Sequence, residues 1–508
     1  MTSGWKTALA VGAFALAGCA TTSDMAEAPA EPVVVEERSD VAFEFAGSAG
    51  GFIPTVFFNA DPNGVCGRNK QLAGSGGEAD NGYTCLELFF GTNRALVDGA
   101  PASLDNPGLY PPNPDEFFED SRDPFEAPDA AYQRLKAADE NHLDYETYTS
   151  GRAYVTVPKR QPGDKVKPFD YRGFLGRART PDDEDRQDEF TFYRYELMDQ
   201  ESFWNRARAV QELSTSLAAS NDFTEWASDS GAVLVFVHGF NTSLSGAAYR
   251  TAQLTYDLEF AGVPLFFSWP ANSRGNVLSY FNDMSEASAS VGDLKLFLKD
   301  VKTNLQPTKY ILIAHSHGNQ VVLDALNELA AEDPFAGDMF DAIIFASPDV
   351  DAAEFKRIAE RSGKLARSKT LYTSQNDRAN WFRMTLTRLR IPLIGERLEP
   401  KPRAGYIPEG TDPLIVSGVN TIDVTNACVG SLGSDLQDAD DDDRLKHAKY
   451  ADAYDLVEDM RRIIDGLSAS AITSPHARNT SMRAIPETTQ PRFWRFYNQA
   501  GSQTRNCG

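Results

Sequence analysis

Residues 310–323 read YILIAHSHGNQVVL. An apolar run ends at Ala314, His-Ser-His-Gly interrupts it, and apolar residues at helical spacing begin directly after Gly318. The pentapeptide Ala314-His315-Ser316-His317-Gly318 fits a tight strand-to-helix turn that lifts a serine hydroxyl above a sheet edge. Small residues two before and two after the serine let that turn form without clashes, and here Ala stands where Gly is commoner. A small-x-Ser-x-small pentapeptide recurs by chance in long chains. Its context, a strand before and a helix after, makes Ser316 the candidate nucleophile rather than a simple helix N-cap.

Outward from this turn, the chain from residue 232 alternates strand-like and helix-like segments. VLVFVH (233–238), VPLFFSW (263–269), KYILIA (309–314), FDAIIFAS (340–347) and KTLYTS (369–374) are continuous apolar or β-branched runs. The segments between them carry helical periodicity, as in GNQVVLDALNELAAE (318–332) and AAEFKRIAERSG (352–363). This rhythm predicts an α/β domain: a mostly parallel sheet with helices on both faces, so that neither face of a strand meets water. Upstream, LELFFGTNRAL (86–96), GRAYVTVP (151–158) and FTFYRYELM (190–198) predict accessory strands, followed by a helix through about residue 219.

In an open parallel sheet, functional groups gather beyond the carboxyl ends of the strands. There stand His238-Gly239-Phe240-Asn241, the Ser316 pentapeptide, Ser347-Pro348-Asp349 and Asn376-Asp377. A serine hydroxyl needs a base, and in this arrangement the chain order is serine, acid, histidine. Of six histidines, only His447 and His476 follow. His447 is favoured because it precedes KYADAYDLVEDMRRIIDGL (449–467), a segment with one apolar helical face that anchors it. Asp377 is favoured as the acid because it closes the last core strand before the histidine. Asp349 and Asp351 remain alternatives, with capping of the helix from Ala352 as their competing role. The backbone N–H groups of His317 and Phe240 are the expected oxyanion donors, with Gly239 permitting the turn. His238 and His315 are expected to shape the site rather than act as bases.

VLVFVHGFNTSLSGAAYRTAQLTYDLEFAGVPLFFSWP, YILIAHSHGNQVVLDAL, FASPDVDAAEF and LYTSQNDRA together resemble a bacterial alpha/beta-hydrolase group, the domain-of-unknown-function 900 family. FFGTNRAL and GRAYVTVP resemble pieces found ahead of the core in that group. The resemblance implies an α/β-hydrolase fold with Ser316 as nucleophile, Asp377 as acid and His447 as base. The histidine setting departs from the family's Gly-His-Ser-Tyr-like pattern, being Lys446-His447-Ala448-Lys449-Tyr450 here. From the nucleophile, oxyanion loop and chain order, the expected activity is that of a serine hydrolase cleaving carboxylic esters through an acyl-enzyme. Amide, thioester or acyl-transfer chemistry would use the same residues, and a non-catalytic envelope lipoprotein is the alternative from another class. No cofactor is expected.

With 508 residues, 42% of them apolar, the chain can bury a full core, and its net charge of −24 argues against a nucleic-acid partner. Its start, with Lys6, an apolar run from Ala8 to Ala17 and then Gly18-Cys19, resembles a bacterial lipobox. That predicts a signal peptide 1–18, lipidation at Cys19, a membrane held through that lipid, and Ala20 directing the product to the outer membrane. The expected organisation continues with a tether 19–40 rich in Ala, Pro and Glu, and an accessory region 41–220. The α/β-hydrolase domain 221–470 and a C-terminal tail 471–508 follow. Cys66, Cys85, Cys428 and Cys507 form an even set suited to an oxidising compartment, with Cys66–Cys85 and Cys428–Cys507 the most local pairing. No CxxC pair supports zinc. The acidic stretch DLQDADDDDRLKH lacks the Gly and Glu of a calcium loop and reads as a solvated loop. The substrate expected is a small or lipid-like acyl compound. The basic, amphipathic WFRMTLTRLRIPLIGERL (381–398) is expected to pack on the core by default, with a lid or membrane contact as alternatives.

Overall fold

Strands buried on both faces need a helix layer above and below, and the apolar runs of this chain receive both. The computed structural model describes residues 83–95, 148–158, 167–168, 189–219, 229–271, 284–332, 337–381, 401–427, 449–466, 482–487 and 491–497. All of them lie in one unit, Phe45–Gly508. Cys19, the tether, Cys66, Cys428, Cys507, His447, His476, the acidic loop and residues 382–398 of the basic amphipathic segment lie outside the described residues.

The described strands, in chain order, are β1 (Tyr83–Thr92), β2 (Thr149–Pro158), β3 (Lys167–Pro168), β4 (Glu189–Met198), β5 (Val233–Val237), β6 (Val263–Ser268), β7 (Tyr310–His315), β8 (Phe340–Ala346), β9 (Ala366–Thr373), β10 (Asn420–Asp423), β11 (Met482–Ile485) and β12 (Phe493–Phe496). The main helices are α1 (Gln200–Ala219), α2 (Leu244–Asp257), α3 (Val291–Leu305), α4 (Gly318–Glu332), α5 (Ala352–Arg361), α6 (Lys449–Asp452) and α7 (Tyr454–Gly466). The strands form one sheet in the order β11-β12-β10-β9-β8-β7-β5-β6-β1-β2-β4-β3. From β1 through β12 across the centre every pairing is parallel. The antiparallel pairs are β1–β2, β2–β4 and β11–β12.

Alternation along each strand divides the core into two layers. Leu234, Phe236, Ile311, Ile313 and Ile344 face one side, where α2 and α7 supply Ala248, Leu254, Leu456, Met460 and Ile463. Val233, Val235, Leu312, Ile343 and Phe345 face the other, against Phe203 of α1, Phe297 of α3, Leu326 of α4 and Phe355 of α5. Capping fixes where two helices start. Ser243 accepts from the Gly246 N–H at the head of α2, and Asp351 accepts from the Ala353 and Glu354 N–H groups at the head of α5.

The strands expected to be accessory extend the same sheet, because β1 lies parallel to β6 and in register with it from Phe89 to Thr92. A buried carboxylate fastens this flank. Glu87 of β1 meets Arg152 of β2 at 2.9 Å and Arg206 of α1 at 2.8 Å, so its charge is neutralised where water is excluded. At the far edge, the tail contributes β11 and β12, which the sequence pattern did not suggest.

Candidate active site

The turn after β7 adopts the conformation its sequence calls for. Ser316 has φ +52°, a left-handed value that disfavours an L-residue by about 1–2 kcal/mol. The turn persists because its polar groups are held on all sides. The Ser316 N–H donates to Ala346 O at 3.0 Å, and Ser316 O accepts from the Asp349 N–H at 3.1 Å. The buried Asn319 amide, one turn into α4, donates to Ser316 O at 3.0 Å and to Ala314 O at 3.1 Å. Asn319 was not singled out in the sequence, although an amide inside the first turn of a helix is the available signal.

Two glycines let neighbouring backbones close on this serine. A Cβ on Gly318 would stand 2.1 Å from His238 O, so only glycine allows α4 to start beneath the end of β5. A Cβ on Gly239 would stand 2.7 Å from the Ser316 Cβ, so the 238–243 loop lies directly against the serine. Both expected oxyanion residues stand next in sequence to the two residues of this contact. Phe240 follows Gly239, and His317 immediately precedes α4, where helical N–H groups are directed away from the helix.

His238 is not placed to act as a base. Its ring is buried and stacked on Trp269 at 5.3 Å. Burial, and then the nearby charge of Arg94, push it down to about 3 from its ordinary value. Its Nδ1 lies 2.9 Å from Gly239 O and its Nε2 3.2 Å from Ser268 Oγ. Trp269 Nε1 donates to His238 O at 2.8 Å, and its ring also faces His317 at 5.9 Å. His315 packs at 4.6 Å on Tyr450 of α6, a buried ring three residues beyond His447 in the sequence.

The three candidate acids part company. Asp351 caps α5, its competing role in the sequence reading. Asp349 is buried beside the elbow, 3.6 Å from His317 Nδ1 and 3.4 Å from Arg403 Nε. Asp377, also buried, accepts at 2.9 Å from both the backbone N–H and the side-chain amide of Asn380. That amide reaches on to Ser347 O at 3.4 Å. Arg403 belongs to a segment the sequence reading left unassigned. Residues 402–407 lace the β8 and β9 ends together through Ala352 N–H to Pro402 O, Ala404 N–H to Val350 O, Gly405 N–H to Pro348 O and Ser374 N–H to Gly405 O, all within 2.8–3.0 Å.

Cys85 of β1 is disulfide-bonded.

A serine on a left-handed strand-to-helix turn, at the carboxyl edge of a parallel sheet covered on both faces, defines the α/β-hydrolase class. Residues 216–391, about a third of the chain, match the family described as alpha/beta hydrolase of unknown function, DUF900. The resemblance read from the sequence thus holds over residues 216–391, which take in α2 to α5, the turn at Ser316 and Asp377. β1, β2, β4 and His447 fall outside the matched residues. No curated protein matches the chain.

Proposed function

We propose that the protein is a serine hydrolase of carboxylic esters. The observation that carries this reading is the left-handed turn at Ser316 with the Gly239 loop packed against its Cβ. In the proposed cycle His447 removes the proton as Ser316 Oγ attacks the ester carbonyl, and returns it to the departing alcohol. The oxyanion that forms is held by the N–H groups of Phe240 and His317. Water, activated by the same imidazole, then cleaves the acyl-serine.

Asp377 is proposed to orient His447. It follows β9, two strands from the serine, and its carboxylate is held in place by Asn380. Asp349 is less suited, since Arg403 and the His317 ring already face its carboxylate. Tyr450 supports His447 as the base. Its ring packs on His315, next to the serine, and only three residues, at most about 11 Å of chain from Cα to Cα, separate it from His447. The acyl substrate is proposed to be small or lipid-like, and the protein to be an exported lipoprotein attached through Cys19. The disulfide at Cys85 favours such an oxidising compartment.

The test is turnover of p-nitrophenyl esters of graded chain length by the mature, unlipidated protein. Hydrolysis that Ser316→Ala abolishes supports the reading. Equal hydrolysis by the alanine variant sinks it.

A further inference from the structure

We infer that Arg94 is a positioning residue that fixes the oxyanion loop through Ser268 and Thr242. The inference rests on the serine-hydrolase reading and gives a role to FFGTNR, a motif that lies outside the residues matched to the family.

Arg94 follows β1 and is almost wholly buried, with 1% of its surface exposed. A guanidinium held away from water must satisfy several rigid donors at once. Its Nε donates to Ser268 Oγ at 2.8 Å, its Nη2 to Thr242 O at 2.6 Å and its Nη1 to Ala271 O at 3.4 Å. The residues before it are fixed as well. Thr92 Oγ1 donates to Ser268 O at 2.6 Å, and Asn93 Nδ2 to Ser290 Oγ at 2.9 Å.

The bonds run in one direction toward the serine. Ser268 Oγ accepts from Arg94, so its own proton is available for His238 Nε2 at 3.2 Å. With Nε2 accepting, the proton of the neutral ring resides on Nδ1, which donates to Gly239 O at 2.9 Å. That carbonyl belongs to the same peptide unit as the Phe240 N–H. The unit is trans, so its C=O and N–H point in opposite directions, and holding the carbonyl aims the donor. The far side of the loop is held in parallel. Thr242 Oγ1 donates to Phe240 O at 3.2 Å while the Thr242 carbonyl accepts from Arg94. One buried cation therefore grips both ends of the loop that abuts Ser316.

Lysine keeps the charge but replaces the rigid fork, whose separate nitrogens serve Ser268 Oγ and Thr242 O, with one ammonium on a flexible stem. Arg94→Lys, Arg94→Gln and Ser268→Ala are to be compared with the unaltered protein. Three quantities are read: kcat and KM on a p-nitrophenyl ester, and the inhibition constant of an aryl trifluoromethyl ketone, whose hemiketal oxyanion occupies the hole. A misaimed donor is expected to lower kcat by about 10- to 100-fold, below the 10²–10³ of outright donor removal, with KM within about threefold. The ketone's inhibition constant is expected to rise in proportion to the loss of kcat/KM. Thermal melts identify folded variants, and if the Arg94 variants do not fold, Ser268→Ala carries the same test by removing one hydroxyl. Folded variants with unchanged kcat and ketone affinity overturn the inference while leaving the hydrolase reading intact. A kcat loss without weaker ketone binding overturns it too. An unaltered protein that neither turns over esters nor binds the ketone overturns both.

Discussion

Replacing His238 with Asn is expected to flatten the acid side of the stability profile. The ring is fully buried against Trp269, and burial plus the Arg94 charge lower its pKa from 6.5 to about 3. Because the folded value lies below the unfolded one, protons bind the unfolded chain preferentially between them. The contribution of the neutral ring is complete above about pH 6.5 and is lost as pH falls toward about 3. At about 1.4 kcal/mol per pH unit, the loss between pH 6.5 and 5 is about 2 kcal/mol, in a range where ordinary carboxylates remain ionised. Asn does not titrate and keeps an N–H for Gly239 O. Urea denaturation of both proteins at half-unit steps from pH 7.5 to 5 measures the difference. The stability gap between them should shrink by about 2 kcal/mol toward pH 5. A gap that stays constant over that range would refute the buried neutral ring and the proton arrangement derived from it.

Other outcomes follow from the same contacts. Gly318→Ala drives a Cβ to 2.1 Å from His238 O, where only backbone can yield, and is expected to destabilise by about 1–3 kcal/mol or more in urea melts. Gly363→Ala, whose Cβ would meet nothing nearer than 3.8 Å, should stay within about 0.5 kcal/mol. Asp377→Asn keeps an oxygen for the Asn380 N–H but sets an amide NH2 against that of Asn380, and is expected to lower kcat on the order of 10⁴-fold for a stability loss of only about 1–3 kcal/mol. Asp349→Asn should show the reverse balance, losing about 3–5 kcal/mol as Arg403 and His317 lose their carboxylate, with a smaller loss of kcat. If Asp349→Asn instead shows the larger loss of kcat, the acid has been assigned to the wrong strand. Cys85→Ser should lower stability by about 2–4 kcal/mol, and a reductant should lower the Tm of the unaltered protein but not that of the variant.

The central strands were legible because a strand covered on both faces needs apolar residues throughout. VLVFV, VPLFFS and YILIAH carry that requirement openly, and their observed limits fall within a residue or two of the apolar runs. The elbow was equally legible, since its backbone imposes small residues at fixed offsets. β10 was not, because NTID holds one strongly apolar residue and takes its place through pairing with β9 and β12. The strap 402–407 is held by backbone bonds, which leave little trace in side-chain pattern. Long-range pairing is also invisible locally. FFGTNR reads as the end of an isolated strand, and only the alignment of β1 with β6 brings Arg94 beside Ser268. The choice between Asp349 and Asp377 stayed open in the sequence because both follow core strands. Their partners, Arg403 for one and Asn380 for the other, become visible only in the fold, and the proposed assignment of Asp377 draws on them.

The most direct test of the account is to map where a fluorophosphonate reacts. After labelling, proteolysis and mass spectrometry, the account predicts a single adduct on Ser316, slowed by Asp377→Asn and absent from Ser316→Ala. Labelling at another residue, or none in protein whose thermal melt shows it folded, would contradict the claim that Ser316 is an activated nucleophile.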